Sequence, residues 1–134
     1  MYFFLAAALL SVSQAQDQSM EDVILGVTKK NFSDSGKPFA LVIQFKVKEG
    51  QVAKFEAAMA KAVKETRKDK GNQAYELSKT PKGSTYVIYE RWENVAALEA
   101  HLKTAHYKEA AAAVKPLLDM NISVELLVPV PVSN

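Results

Sequence analysis

The residues best suited to chemistry are concentrated in one short stretch of the 134-residue chain. The only Trp and both His residues lie between Tyr89 and Tyr107, as Trp92, His101 and His106. An imidazole can act as a base near neutral pH because its unperturbed pKa is about 6.5, and Trp can stack on an aromatic molecule. Either these residues line a pocket, or they are ordinary core and surface residues that happen to be neighbours.

A metal site is not expected from the two His residues. His101 and His106 are five positions apart, and a regular helix would separate them by roughly 140° around its axis. The chain has no Cys and no third His to complete a ligand set. The sequence therefore predicts no bound metal.

Hydrophobic periodicity predicts the elements that position this stretch. Apolar residues alternate in the predicted strands and recur at three- and four-residue steps in the predicted helices. Asn94 can cap the second helical region, and Pro116 marks its end. The predicted elements are a strand at 39–50, a helix from 52 to Gly71, strands at 72–79 and 84–93 joined by the turn Thr80–Gly83, a helical region at 95–115, and a strand at 120–128.

The order strand–helix–strand–strand–helix–strand predicts an α+β, ferredoxin-like split βαβ fold. Both helical regions would cover one face of an antiparallel sheet and leave the other face bare. A sheet with apolar residues on a bare face is expected to find a partner, most simply in a two-fold homodimer.

Composition restricts the classes of partner. Hydrophobic residues make up 49% of the chain, enough for one domain core, and the net charge is only +2. Nucleic-acid binding usually needs a strongly basic face, so no nucleic-acid partner is expected. The Lys residues at 54, 61, 64 and 68 are interrupted by Glu56, Glu65 and Asp69, which predicts a solvated mixed-charge helix face rather than a basic adaptor surface.

The N-terminal segment is typical of an export signal. Tyr2–Leu10 is an apolar run too short to span a bilayer, and small residues at Ser13 and Ala15 predict cleavage after Ala15. We expect a signal peptide at 1–15, a linker or N-terminal arm at 16–37, and a compact domain at 38–134. The protein would then be secreted or periplasmic, with no stable membrane insertion. An uncleaved anchor, or a cytoplasmic protein starting at Met20, are the alternatives.

The pattern E-x-W-x5-L-x2-H-x4-H-Y, from Glu90 to Tyr107, resembles the antibiotic biosynthesis monooxygenase domain family, and most closely its small quinol monooxygenase-like members. The segments "GNQAYELS" and "DMNISVELLVPV" support the resemblance, which covers roughly residues 38–130. It implies a dimeric α+β barrel. It also implies oxidation of a quinol or similar electron-rich aromatic by O₂, with no cofactor.

Such chemistry implies a base that deprotonates the bound aromatic. His101 lies near the edge of the apolar helix stripe and is the candidate base. Glu90 is its candidate hydrogen-bond acceptor, because Glu90 and Trp92 are two apart on a strand and share a face. A purely structural Glu90–His101 pair is the alternative. We expect Trp92 and His101 to open into one apolar cavity that accepts a planar ring.

The remaining candidates would form the walls and mouth of that cavity. For each of them an ordinary core or surface role is the competing interpretation. The candidate substrate-binding residues are Trp92, Ile43, Phe45, Tyr75, Tyr89, His106 and Tyr107.

Haem-degrading relatives pair the Trp with an iron-binding His and an Asn, but the matching positions here are Ala111 and Ile43, so haem degradation is not expected. A non-catalytic dimer that binds a small hydrophobic ligand remains the alternative to an enzyme.

Overall fold

The computed structural model describes residues 18–133, and it confirms the ferredoxin-like α+β arrangement. One four-stranded sheet has the order β2-β3-β1-β4, and the register of each neighbouring pair is antiparallel. The strands are β1 (Phe39–Lys46), β2 (Asn72–Lys79), β3 (Thr85–Trp92) and β4 (Ser123–Leu127). The helices are α1 (Met20–Asn31), α2 (Val52–Thr66), α3 (Val95–Leu102) and α4 (Ala105–Val114), and a short 3₁₀ turn at Lys115–Leu117 follows α4.

Alternation along the two central strands decides which side chains face the helices. In β3, Tyr86, Ile88, Glu90 and Trp92 are buried, while the residues between them are half-exposed. Their cross-strand partners in β1 are also buried. Glu90 is thus carried into the core by the same period of two that buries its apolar neighbours.

The core lies between this sheet face and the helices. Phe55 and Met59 of α2, together with Leu98 and Leu102 of α3, pack into the same cluster as the inward-facing strand residues. The opposite face, which we call the open face, is half-exposed and carries Val42, Val87, Tyr89 and Leu127.

The segment before the domain differs from expectation. Residues 16–37 were expected to form a linker or N-terminal arm without regular structure of their own, but they contain the helix α1. A capping box explains the start of α1, because the Ser19 hydroxyl accepts from the Asp22 N–H and the Asp22 carboxylate accepts from the Ser19 N–H. The predicted signal peptide at 1–15 lies outside the described residues.

The second helical region is also not continuous. It was expected to run from 95 to 115, but it is divided between Leu102 and Ala105. Thr104 has an extended backbone, and its hydroxyl caps α4 by accepting from the Tyr107 N–H. The predicted Asn94 cap of α3 is confirmed, since its side chain accepts from the Ala97 N–H.

Among residues 18–133, no helix has the length and apolar character that crossing a membrane would require.

Candidate active site

An apolar cavity lies between the sheet and the helices, and several of the candidate residues line it. It has a volume of about 40 Å³, and its walls come from β1, β2, β3 and all four helices. The candidates that line it are Ile43, Phe45, Tyr75, Glu90, His101 and Tyr107.

His101 is buried at the wall of this cavity and is held by an acidic side chain. Its Nδ1 lies 2.7 Å from Oδ2 of Asp69, which is in the loop between α2 and β2. A carboxylate can only accept, so Nδ1 carries the proton and Nε2 keeps its lone pair in the neutral ring. Burial lowers the pKa of His101, and the neighbouring Asp69 partly offsets that effect. The imidazole is therefore neutral at pH 7 with Nε2 free to take a proton.

Asp69 also binds the second imidazole. The same Oδ2 atom lies 2.9 Å from Nε2 of His106. The break between α3 and α4 makes this possible, because it abolishes the roughly 140° separation that a straight helix would impose. The regular-helix argument was thus wrong for these two residues, whose ring centroids are 5.7 Å apart.

The expected hydrogen bond between Glu90 and His101 is not present; the partner of His101 is Asp69. Both Glu90 and His101 line the cavity, but Oε1 of Glu90 is buried without a hydrogen-bond partner among the described residues. Sequence reasoning erred because it considered only acids on the neighbouring strand, whereas the acceptor lies on a loop.

Burial makes Glu90 an unusually weak acid. The side chain is 2% exposed, and desolvation raises its pKa from 4.5 to about 7. The nearby Trp92 indole opposes this shift, although Nε1 of Trp92 has no hydrogen-bond partner within the described chain. Desolvation is the larger effect, since both side chains are buried. Glu90 can then gain or lose a proton near neutral pH.

This shift predicts a pH-dependent stability that Glu90→Gln removes. Between about pH 4.5 and 7 the native state holds a proton that the unfolded state has lost, so stability falls as the pH rises through that window. A pKa shift from 4.5 to about 7 corresponds to a pH-dependent change of about 3 kcal/mol in the free energy of unfolding. We expect the free energy of unfolding of the wild type, relative to Glu90→Gln, to fall by about this amount between pH 4 and pH 8, as measured by urea denaturation.

The matched control is Glu76→Gln, which changes an exposed carboxylate on β2. Its stability should follow the wild type across the same pH range. If the free energies of unfolding of the wild type and Glu90→Gln changed in parallel with pH, the raised pKa would not belong to Glu90.

Two phenols share the cavity with these groups. Burial raises the pKa of both Tyr75 and Tyr107, so both remain protonated donors. The hydroxyl of Tyr107 has no hydrogen-bond partner among the described residues. It is therefore available to donate to a bound molecule. Such a hydrogen bond would remove the free-energy cost of a buried hydroxyl without a partner.

Three candidates do not line the cavity. Trp92 is fully buried and packs directly against His101, with 4.9 Å between the ring centroids, so no planar ring is inserted between them. Tyr89 lies on the open face. His106 contacts Asp69 from the more exposed side.

Asp69 is the residue that sequence reasoning missed as a site residue. The loop that carries it is fixed by Gly71, whose φ of +82° suits glycine. A Cβ at Gly71 would lie 2.5 Å from Cβ of Ala97. The helix predicted to end at Gly71 ends at Thr66 instead, which leaves Asp69 in a loop, and no periodicity connects this acid to His101.

Asp69, His101 and His106 are also the described residues that could hold a metal ion. Each offers one ligand atom, and these atoms lie within 4.8 Å of one another.

Comparison with known proteins gives the family. The antibiotic biosynthesis monooxygenase family model matches residues 38–113. "Putative monooxygenase YcnE" of Bacillus subtilis is 32% identical over 80 residues, which cover 59% of this chain and 84% of that protein. "Probable quinol monooxygenase YgiN" of Escherichia coli is 51% identical over 39 residues, but these cover only 28% of this chain and 38% of that protein.

The fold is also similar to that of a solved structure. Rv0793 from Mycobacterium tuberculosis superimposes with a TM-score of 0.68 at 26% identity, covering 73% of this chain and 100% of that one. Helix α1 precedes the matched family domain. The chain belongs to the antibiotic biosynthesis monooxygenase family.

Proposed function

We propose that this protein is a monooxygenase that oxidises a quinol or similar electron-rich aromatic with O₂, without a cofactor. One observation carries the proposal: His101, with Nδ1 bound to Asp69, lines an apolar cavity together with the weak acid Glu90. The quinol substrate class is also supported by the name of the Escherichia coli relative.

The reaction begins with removal of a proton from a substrate hydroxyl by Nε2 of His101, because a quinol anion donates electrons to O₂ far more readily than the neutral molecule does. One oxygen atom then enters the ring and the other leaves as water. Quinol plus O₂ gives a hydroxyquinone plus water, so the substrate loses four electrons and O₂ gains four. Tyr107 donates a hydrogen bond to the anion, and Glu90 exchanges protons within the cavity.

The present cavity is smaller than such a substrate. Its 40 Å³ compares with roughly 150 Å³ for an apolar cavity that binds benzene. Met20 and Ile24 of α1 form part of the wall, and Met59 of α2 contributes a flexible side chain to it. Because α1 lies outside the family domain, we propose that movement of α1 admits the ring.

Truncating the α1 wall is therefore expected to improve binding. Ile24→Ala removes part of the obstruction, and relief of overpacking of about 1 kcal/mol corresponds to roughly fivefold tighter binding. The measurement is calorimetric titration with a hydroquinone in the absence of O₂, which prevents turnover.

Leu25→Ala is the matched control, because Leu25 packs against the core from the same helix but does not line the cavity. Its dissociation constant should equal that of the wild type. If both variants bind the hydroquinone as the wild type does, α1 is not the obstructing wall.

We also propose that the protein is a homodimer joined through the open face. Val42, Val87 and Tyr89 lie close together there. Val42 is paired with Tyr89 across the strands, and Val87 is two residues before Tyr89 on the same face of β3. Leu127, 40% exposed, extends this apolar surface. A monomeric mass in sedimentation equilibrium would contradict the proposal.

The test of activity is O₂ consumption with a panel of hydroquinones, corrected for uncatalysed oxidation. Enzyme-dependent uptake with a hydroxyquinone as product supports the monooxygenase. Binding of the same hydroquinones without uptake would instead favour a non-catalytic carrier of hydrophobic ligands.

A further inference from the structure

The side chains of Asp69, His101 and His106 meet at one carboxylate oxygen, Oδ2 of Asp69. Three ligand atoms of the types that transition metals prefer converge, namely Oδ2 of Asp69, Nδ1 of His101 and Nε2 of His106. The oxygen is 2.7 Å from one nitrogen and 2.9 Å from the other. Bonds of about 2.0–2.2 Å to a tetrahedral ion place neighbouring ligand atoms roughly 3.3–3.6 Å apart, so each nitrogen would move away from the carboxylate oxygen by roughly half an ångström or slightly more.

The backbone holds the three ligands in place before any ion binds. The Asp69 N–H donates to Thr66 and its carbonyl accepts from Asn72. The hydroxyl of Thr104 donates to the carbonyl of His101 at 2.7 Å and also caps α4 just before His106. Little ordering is therefore needed when a ligand binds.

Exposure shows how an ion would reach these atoms. The His101 side chain is 2% exposed, whereas those of Asp69 and His106 are 15% and 22% exposed. An ion can enter from the His106 side and keep a solvent molecule in its fourth position, as open zinc sites do.

We propose that Asp69, His101 and His106 bind one divalent first-row transition ion. Two imidazoles and one carboxylate favour Zn²⁺, Co²⁺, Ni²⁺ or Cu²⁺ over Mg²⁺ and Ca²⁺, which take oxygen ligands. The ion replaces the hydrogen bonds that now join the two rings to Asp69.

Metal binding has a consequence for the proposed oxygenation, and this consequence rests on that proposed function. The ion occupies Nδ1 of His101, so the ring proton moves to Nε2, the atom that would accept the substrate proton. His101 therefore cannot bind the ion and act as the base at the same time. A bound ion therefore inhibits the enzyme.

The test uses tag-free, full-length protein treated with a chelator and then titrated with Co²⁺. We expect visible absorption bands that saturate at one ion per chain and disappear when Zn²⁺ is added. His106→Gln should weaken Co²⁺ binding at least about tenfold, and it should fold because His106 is partly exposed. Glu65→Gln, which changes a nearby carboxylate paired with Lys68, is the control and should bind as the wild type does.

Failure to saturate, or equal affinity in the wild type and His106→Gln, would overturn the metal site. Zn²⁺ should also suppress hydroquinone-dependent O₂ uptake in the wild type at concentrations that leave His106→Gln uninhibited. Saturable Co²⁺ binding with uninhibited uptake would exclude His101 as a ligand. Absence of uptake in every sample would count against the proposed oxygenation, while the Co²⁺ spectra would still decide the metal site.

Discussion

Replacing His101 with Ala is expected to lower the kcat for hydroquinone-dependent O₂ uptake by about 10²–10⁴-fold, the usual contribution of a positioned base. The physical reason is that the neutral His101 ring lines the cavity and is oriented by Asp69, which leaves Nε2 to take the proton. An oxygen electrode measures the rate. Anaerobic calorimetry measures hydroquinone binding, which should survive the substitution because apolar side chains form most of the cavity wall.

His101→Phe separates loss of the base from loss of volume, because it keeps an aromatic ring in this position beside Trp92 and Tyr107. Both variants should lose turnover. A wild-type kcat in either one, with hydroquinone still bound, would show that another group takes the proton.

Asp69→Asn has the second largest expected effect. The amide is similar in size, but its NH₂ group can donate to Nδ1 of His101 and so move the ring proton to Nε2. We expect kcat to fall by about 10²-fold or more while the anaerobic dissociation constant is unchanged, as for the acid of a catalytic triad. Asp69 acts through His101 and is a positioning residue.

A tautomer measurement distinguishes this role from a structural one. The chain has only two His residues, so their ring nitrogens can be assigned in an NMR spectrum of ¹⁵N-labelled protein. The wild type should show the proton of His101 on Nδ1, and Asp69→Asn should show it on Nε2. A kcat loss with the tautomer unchanged would refute the positioning role.

Much of the fold could be predicted because the strands and helices follow simple periods. Alternation placed Ile43 and Phe45 on the covered face of β1, and the side-chain cap at Asn94 fixed the start of α3. Helix α1 was missed although its capping box, Ser19 with Asp22, is readable in the sequence.

The site was harder to predict because its key contacts join distant parts of the chain. The partner of His101 is 32 positions away, on a loop whose position depends on Gly71 and on packing against Ala97. The convergence of His101 with His106 depends on a break at Thr104 that hydrophobic periodicity does not reveal. Trp92 was correctly placed on the covered face, but its contact with His101 excludes a ligand between them.

Because the helical region is interrupted between Leu102 and Ala105, the number of residues at this junction determines where His106 points. Each residue turns a helix by about 100°, so inserting or deleting one residue between Leu102 and Ala105 would reorient His106 relative to Asp69. Substitutions that preserve the extended residue before α4 would leave its direction intact. Among relatives, those with the same number of residues at this junction should keep one carboxylate in contact with both His rings. Relatives with a longer or shorter junction should have lost that arrangement, even where the Asp and His residues themselves are present.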